Sequence, residues 1–518
     1  MQAKRRGIVF QIVLGLIVLA LLLPGCGPKV PKDTLVVGIA DDIDVLDPAV
    51  TSTNSSWAVS YWCYERLVDY KGATTEVGPA LAKSWTVSPD GLVWEFTLRE
   101  NSKFDDAKPV NAEAVKYTFD RLMAIGKGPA EAYPTLETVE VVEPYKIKFT
   151  LNAPFPPFLY ALANNGASIV NPAVQSKEKD GDLGQGWLSE HTAGSGPYKL
   201  EQWVKDSQHK LVLNPNYAGT APSIKTVLIK IVKDPSARRL QLEKGDIDVA
   251  AELPLDMYRQ LEKNSNIVVK SWPSLSVTYT YMNCQKAPLD NVKFRQALSY
   301  AADYAGIISG VFLGNATQMR GPVPQGMWGY ASDVKQYTYN LEKARQLLAE
   351  SGVATPLTLK YLYADRDPNW EPVGLALQAK FKELGITVEL EKLAYATMRE
   401  NLDKGEFQLA AGNWTPDFAD PYMFMNYWFE PQNWGLAGNR SWYENEQVTD
   451  LVREAARISD QAQRTTLYRQ AQDLIMEDAP YIFLVQKNYN LAWRKNVEGF
   501  VFNPMLLDMY NFHQMAKK

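Results

Sequence analysis

Apolar and polar residues alternate along several short segments in the first half of the chain. The segment 92–99, Leu-Val-Trp-Glu-Phe-Thr-Leu-Arg, has the two-residue period of a half-buried strand and follows the turn pair Asp90-Gly91. Further strands are predicted at 34–40, 146–151 and 210–213. A helix is predicted after Asn111, which has the side chain of an N-cap. Residues 70–190 are therefore expected to be rich in strands and long loops.

Strands and helices alternate in the second half. The pattern predicts strands at 357–363, 386–390 and 407–411, and helices at 371–384 and 395–404. Gly385 is expected to cap the first of these helices at its C-terminus. A shorter helix-and-strand unit is predicted at 237–249. This alternation is typical of βαβ units around a parallel sheet and predicts an α/β fold.

The N-terminus has the pattern of an export signal. Three basic residues at 4–6 precede an apolar run at 8–23, which would span about 24 Å as a helix, short of a hydrocarbon core of roughly 30 Å. The run ends in Leu23-Pro-Gly-Cys26, which resembles the bacterial lipobox. We expect a signal peptide at 1–25, diacylglycerol on Cys26, and a lipidated tether at 26–33. The alternative is an uncleaved membrane anchor; both place the body outside the cytoplasm.

The net charge bears on the expected partners, and the cysteine content bears on disulfide bonding. Removing the three basic residues of the leader from the 54 Lys and Arg leaves 51 against 59 acidic residues, a net charge near −8. Nucleic acid is not an expected partner of such a body, because phosphate binding needs a basic face. Apart from Cys26, only Cys63 and Cys284 remain. They either pair or are both free, and their wide separation favours free, buried thiols.

Several motifs follow one another in a recognisable order along the mature chain. They are Pro79-Ala-Leu-Ala-Lys-Ser-Trp85, Ser88-Pro-Asp-Gly91, the segment 103–115, Gly194-Ser-Gly-Pro-Tyr198, Asn214-Pro-Asn-Tyr217, and the segments 293–303 and 413–421. Together they resemble the solute-binding proteins of peptide ABC importers, the oligopeptide- and dipeptide-binding family. Family members usually carry His-Asp-Gly where this chain has Asp-Asp-Ala at 105–107.

The resemblance implies a two-lobed, periplasmic-binding-protein-like fold of type II, with an extra strand-rich subdomain inserted in the N-terminal lobe. Ligand would be held between lobes that close around a hinge. The expected divisions are lobe I at 34–69, 194–284 and 489–518, the inserted subdomain at 70–193, and lobe II at 285–488. A membrane permease with cytoplasmic ATPases would be the partner, and the receptor itself is expected to be a monomer without a cofactor or metal.

The loop after the predicted strand 407–411 is the main candidate site. In open α/β sheets, ligands bind outside the carboxyl ends of the strands, so Asp417 should face the cleft. In relatives, the Asp at this position accepts the ligand's α-ammonium group, a strong charge-assisted bond in a dry site. The alternative is that Asp417 or Asp420 caps a turn beside Pro421; for Asp420 we favour this structural role.

Arg366 follows the predicted strand 357–363, and dipeptide-binding relatives have an Arg in this loop that holds the ligand carboxylate. Its alternative is a solvated loop in which it pairs with Asp365 or Asp367. Apolar walls of the site are expected from Trp414, Phe418 and Tyr395, and weaker candidates at the end of a strand crossing between the lobes are Tyr281 and Asn283.

Two alternative functions compete with a peptide receptor. The same scaffold could bind another solute, such as an oligosaccharide or a nickel chelate. A secreted hydrolase would need a nucleophile with a base, a metal, or a carboxylate pair. His191, His209 and His513 are scattered, and the sequence contains no His-Glu-x-x-His, Gly-x-Ser-x-Gly or Cys-x-x-Cys motif. We therefore do not expect an enzyme.

Overall fold

The computed structural model describes residues 31–518, so the expected signal peptide, Cys26 and most of the tether lie outside the described residues. The strands are β1 Thr34–Ile39, β2 Val68–Tyr70, β3 Val77–Pro79, β4 Ala82–Val87, β5 Val93–Leu98, β6 Leu136–Glu143, β7 Lys146–Leu151, β8 Tyr198–Val204, β9 Gln208–Leu213, β10 Thr226–Ile231, β11 Val249–Ala250, β12 Ile267–Met282, β13 Ala316–Gln318, β14 Leu357–Tyr363, β15 Ile386–Lys392, β16 Leu409–Trp414, β17 Tyr481–Arg494, β18 Val497–Glu498 and β19 Ala516–Lys517.

The α-helices are α1 Asn54–Ser60, α2 Ala112–Ile125, α3 Phe158–Ala161, α4 Gln185–Leu188, α5 Pro235–Lys244, α6 Leu255–Leu261, α7 Val292–Ala301, α8 Tyr304–Gly310, α9 Leu341–Ser351, α10 Trp370–Phe381, α11 Tyr395–Lys404, α12 Tyr422–Phe429, α13 Glu446–Ala455 and α14 Gln461–Asp478. The helix predicted after Asn111 is confirmed, and the Asn111 side chain accepts a hydrogen bond from the Ala114 amide at 3.1 Å. Gly385 ends its helical segment in the left-handed conformation, as predicted.

One sheet of eleven strands runs through most of the molecule. Its order is β15-β14-β16-β12-β17-β11-β1-β10-β9-β8, with β13 added on β17. The sheet contains two parallel parts, β15-β14-β16 and β10-β1-β11, and the antiparallel strands β9 and β8 extend the second of them. The long strands β12 and β17 are antiparallel and join these two parallel parts.

The long strands β12 and β17, which we call the crossing strands, change register where the two parallel parts meet. Pairing between β12 and β17 is interrupted between Pro273 and Val277. The Gln486 amide fills this irregularity, because its Nε2 donates to the Ser274 carbonyl at 2.6 Å and to the Gln325 carbonyl at 2.7 Å. The backbone carbonyls of Ser274 and Gln325 are therefore satisfied at this interruption; a second register shift lies between Thr278 and Tyr279.

The strand predicted at 407–411 was misplaced. It begins at Leu409 and continues to Trp414, because the residues up to Trp414 pair antiparallel with β12 as far as Val277. The strand predicted near 246–249 likewise forms later, at β11. Trp414 is thus the last residue of a central strand, and the loop that carries Asp417 begins after it.

A separate sheet of order β4-β5-β7-β6 forms within the segment predicted to be an insertion, and α2 packs on it through Val115 and Phe119. Buried side chains of this sheet join one hydrophobic core with those of the second half of the chain. A second core lies around β1 and β10, and it also includes Val170 and Leu188. Residues of the segment 70–193 therefore belong to both hydrophobic cores.

The Gly194-Ser-Gly-Pro-Tyr198 motif has a steric basis. A Cβ atom on Gly194 would lie 2.1 Å from the Cys63 carbonyl oxygen, and one on Gly196 would lie 2.4 Å from the Trp62 carbonyl oxygen. Only glycine permits this approach of two backbones. Cys63 is buried, Cys284 is partly buried, and they do not pair with each other, as expected for free thiols. Within residues 31–518, no helix is long and apolar enough to cross a bilayer.

Candidate ligand-binding site

Two adjoining cavities, of about 470 and 610 Å³, lie between the inserted segment, the crossing strands and the second half of the chain. We call the first the basic cavity, because Arg366, Arg399 and Arg440 line it, and the second the acidic cavity, because Glu131 lines it. Residues shared by both walls are Ser52, Trp57, Asn164 and Asp417. The strongest candidate from the sequence therefore stands where the two cavities meet.

The loop after β16 is fixed at its far end by a buried ion pair. Asp420 is fully buried, and its two oxygens each accept a hydrogen bond of 2.7 Å from Arg464 of α14. Asp420 also accepts from the Tyr422 amide at 2.9 Å, at the start of α12. The structural role expected for Asp420 is confirmed, and it leaves Asp417 as the unpaired acid of the loop.

Asp417 is exposed to the cavities, yet protein surrounds it on most sides. This partial exclusion of water, with a smaller contribution from the negative charge of Glu131, raises the pKa of Asp417 to about 6. Within residues 31–518, its carboxylate forms no ion pair. A carboxylate in this state favours an incoming cation, because ion pairing there removes an unfavourable burial of charge.

The inserted segment contacts the Asp417 loop directly. Asn164, just after α3, donates from Nδ2 to the Asp417 carbonyl oxygen at 2.6 Å. Phe155 packs edge-to-face against Phe418 and against Tyr422, with ring centroids 6.4 and 5.3 Å apart. The loop is therefore held from the opposite side of the cleft as well as from its own half.

Arg366 lies in the loop after β14 and lines the basic cavity, as predicted. Its guanidinium carbon is 4.5 Å from the centre of the Tyr395 ring, a cation–π contact that orients the side chain. The neighbouring acids have other partners, since Asp365 pairs with Lys392 and Asp367 pairs with Lys487 at 3.3 Å. Arg366 forms no ion pair with any carboxylate in the described part of the chain, so its expected alternative is not seen.

Of the other residues predicted from the sequence, some line one of the two cavities and others lie behind or away from them. Trp414 and Tyr395 are half-buried walls of the basic cavity, and Phe418 is a buried wall of the acidic cavity. Tyr281 is buried behind the basic cavity, where its hydroxyl accepts a hydrogen bond from Arg440 Nη1 at 3.2 Å. Asn283 lines none of these cavities; its buried amide donates to the carbonyls of Gly405 and Phe407. Its role is to support the backbone.

Several lining residues were not predicted. Trp57 and Asn164 come from the first half of the chain, Arg399 and Arg440 from the second, and 505–509 from a loop near the C-terminus. The sequence around the two arginines carries no usable signal, since Asp403 lies four residues after Arg399 in α11 and Arg440 lies in an irregular loop. The others lie in loops without a pattern. Among residues 31–518, no group of three or more His, Cys, Asp or Glu side chains could hold a metal.

The chain matches the family model for bacterial extracellular solute-binding proteins, family 5, middle region, over residues 76–435. It is 50% identical over 519 residues to the "Probable D,D-dipeptide-binding periplasmic protein DdpA" of Escherichia coli (strain K12), covering 99% of this chain and 100% of that protein. It is also 31% identical to the "Dipeptide-binding protein" of the same strain, covering 92% of this chain and 94% of the relative.

Solved structures agree with this match. HbpA2 from Haemophilus parasuis superposes with a TM-score of 0.86 at 29% identity, covering 94% of this chain and all of that one. The ABC transporter-associated periplasmic binding protein DppA from Helicobacter pylori, in complex with the peptide STSA, superposes with a TM-score of 0.76 at 29% identity, covering 93% and 98%.

The fold and the cleft thus define a two-lobed extracytoplasmic solute receptor, not an enzyme. This chain belongs to family 5 of the bacterial extracellular solute-binding proteins. The family resemblance and the α/β fold of type II predicted from the sequence are confirmed.

Proposed function

We propose that this protein is the receptor of an ABC importer and binds a short peptide with free ends between its lobes. The observation that carries the proposal is the separation of charge along the cleft. Among residues 31–518, Asp417 provides an unpaired acid where the two cavities meet, and Arg366 provides an unpaired guanidinium in the wall of the basic cavity. A zwitterion placed between them would neutralise both groups.

In the proposed complex, a different residue contacts each charged end of the ligand. Asp417 accepts the α-ammonium group, and Arg366 donates to the α-carboxylate through its planar fork. Trp414 and Tyr395 flank the backbone between them. A cavity of about 470 Å³ suits a dipeptide with small side chains, within the size range of small-ligand pockets.

The relative with 50% identity supports a D,D-dipeptide as the ligand. Titration calorimetry with D-Ala-D-Ala, L-Ala-L-Ala and a trisaccharide tests this assignment. We expect D-Ala-D-Ala to bind most tightly. N-acetylated and C-amidated forms of the same dipeptide should each bind at least about tenfold more weakly, since each removes one charged contact. Equal binding of the blocked and free dipeptides would contradict the proposal.

We further propose that lobe I comprises 34–69, 194–284 and 489–518, lobe II comprises 285–488, and 70–193 is the inserted subdomain. Bending at the register change between Pro273 and Val277 would let the lobes close. Lipid on Cys26 would hold the monomeric receptor at the membrane beside its permease. Mass spectrometry of detergent-extracted protein should show a diacylglyceryl mass on Cys26 that Cys26→Ser abolishes.

A further inference from the structure

A small recess of about 30 Å³ opens beside the basic cavity. We call it the arginine recess; its walls include Arg399 and Arg440, with Tyr395 and Asn413, and all four also line the basic cavity. Tyr281 and Trp370 complete it on the inner side. One water needs roughly half of this volume, so the recess has the size of a carboxylate group.

The arginine recess has donors but no acidic acceptor. Arg440 Nη1 donates to the Tyr281 hydroxyl, and its Nε has no acceptor among residues 31–518. Trp370 is only 3% exposed, and its Nε1 is likewise a buried donor without an acceptor in the described part of the chain. No Asp or Glu lines the recess. Buried donors without acceptors are unfavourable and mark a place where an anion would bind.

Two other buried arginines of this protein each have a carboxylate partner, which the arginines of the recess lack among residues 31–518. Arg121 is paired with Asp47, and Arg464 with Asp420, in each case through both guanidinium branches. By contrast, within residues 31–518 Arg399 and Arg440 have no carboxylate partner. A partly buried guanidinium without an anion bears an uncompensated desolvation penalty, which a ligand can relieve.

We propose that the arginine recess is a second anion-binding subsite, which selects peptides whose carboxyl-terminal residue carries an acidic side chain. The inference rests on the proposed function, because Arg366 holds the main-chain carboxylate and so directs that side chain toward the recess. Three arginines line the basic cavity against the single acid Asp417. A neutral dipeptide leaves two positive charges unpaired, whereas one with a second carboxylate leaves one.

The test compares Ala-Glu with Ala-Gln, and D-Ala-D-Glu with D-Ala-D-Gln, by calorimetry. We expect the acidic member of the tighter-binding pair to bind about tenfold more strongly or better, the typical strength of a charge-assisted hydrogen bond. Arg399→Gln should reduce this preference to less than about twofold, because it weakens binding of the acidic peptide more than binding of the Gln peptide. Arg345→Gln, an exposed arginine of α9, is the matched control and should keep the preference.

The outcomes separate this inference from the function on which it rests. Equal affinity for the acidic and amide peptides would overturn the subsite alone, as would a preference that survives Arg399→Gln. Failure of every peptide to bind would overturn both. Arg440→Gln is a second variant, and it also removes the hydrogen bond to Tyr281. Loss of the preference with retained binding of the Gln peptide supports the subsite. An equal loss of affinity for both peptides would mean that Arg440 only supports the structure, and it would contradict the role of Arg440 in the proposal.

Discussion

Asn164 donates a hydrogen bond of 2.6 Å across the cleft to the main-chain carbonyl of Asp417. The contact ties the segment after α3 to the loop that presents the candidate ammonium-binding acid. On its own side, the same loop is fixed by the Asp420–Arg464 pair. The Asp417 side chain thus stands on a loop that is restrained from both walls, which reduces the entropy that ligand binding must overcome.

The first prediction concerns the pH dependence of binding. The pKa of Asp417 is raised to about 6, and only the ionised form pairs with an ammonium group. Peptide affinity should be constant above this pH and fall about tenfold per unit below it. Binding should release a proton near pH 6, since the ligand's positive charge lowers the pKa of Asp417. Calorimetry between about pH 5 and 7, which lies above the pKa of the peptide's carboxyl group and below that of its α-amino group, measures both effects.

Asp417→Asn should lose at least ~2 kcal/mol of binding free energy at neutral pH and should show no pH dependence in this range. A variant that keeps the slope of the wild type would show that another group titrates.

The second prediction separates Asp417 from Asp420 by stability. Because the pKa of the Asp417 carboxyl is raised in the folded protein from its ordinary value of 3.8 to about 6, the folded protein loses stability as the pH rises through this range. Asp417→Asn should therefore raise the free energy of unfolding of the ligand-free protein at neutral pH. Asp420→Asn should lower it by roughly 3–5 kcal/mol, because it leaves Arg464 buried without its partner. Urea denaturation of both variants compares them; opposite signs are expected, and equal losses would place Asp417 in the structural framework.

The third prediction assigns the carboxylate end. Arg366→Ala should weaken binding of a free dipeptide about tenfold or more, and it should not affect a C-amidated dipeptide, which lacks the group that Arg366 holds. Arg366→Lys should fall between, because an ammonium group cannot form the planar double contact. An equal loss for the free and amidated ligands would indicate a change in cavity shape instead.

The fourth prediction tests the glycine motif of the fold. Gly196→Ala would place a methyl group 2.4 Å from the Trp62 carbonyl oxygen and 2.7 Å from the Tyr64 amide nitrogen. Because both are backbone atoms, we expect a loss of at least ~1–3 kcal/mol in unfolding free energy. Gly310→Ala is the matched control, since nothing lies within 4 Å of its added Cβ. Thermal unfolding that is unchanged in Gly196→Ala would contradict the steric argument.

The sequence predicted the regular parts of the fold well, because local patterns determine them. The strand 357–363 and the helix 395–404 have the predicted limits, since apolar periodicity marks both and Gly405 ends the helix. The strand ending at Trp414 was placed too early, because Gly412 and Asn413 interrupt the apolar run and are strand only through pairing with β12. Pairing with a strand that is distant in the chain cannot be seen in the local pattern of apolar and polar residues.

The candidate site was predicted only in part. Asp417 and Arg366 could be found because each follows a strand of a parallel sheet, where the fold directs loops into the cleft. Arg440 lies in an irregular loop, and its place beside Trp414 depends on the packing of that loop against β12 and β16. Asn283, although next to the crossing strand, points into the backbone of Gly405 and Phe407.

The position of β17 in the chain has a consequence for biosynthesis. This strand ends at Arg494, and it pairs with β12 over nearly its whole length and with β11 and β13 besides. Neither half of the large sheet is complete until that strand has emerged from the ribosome. At roughly 5–20 residues per second, the growing chain spends tens of seconds without its central strand. Cooperative folding of the large sheet therefore has to wait until Tyr481–Arg494 has been translated, and a shortened chain that stops before Tyr481 would expose the edges of β12 and β11 to aggregation.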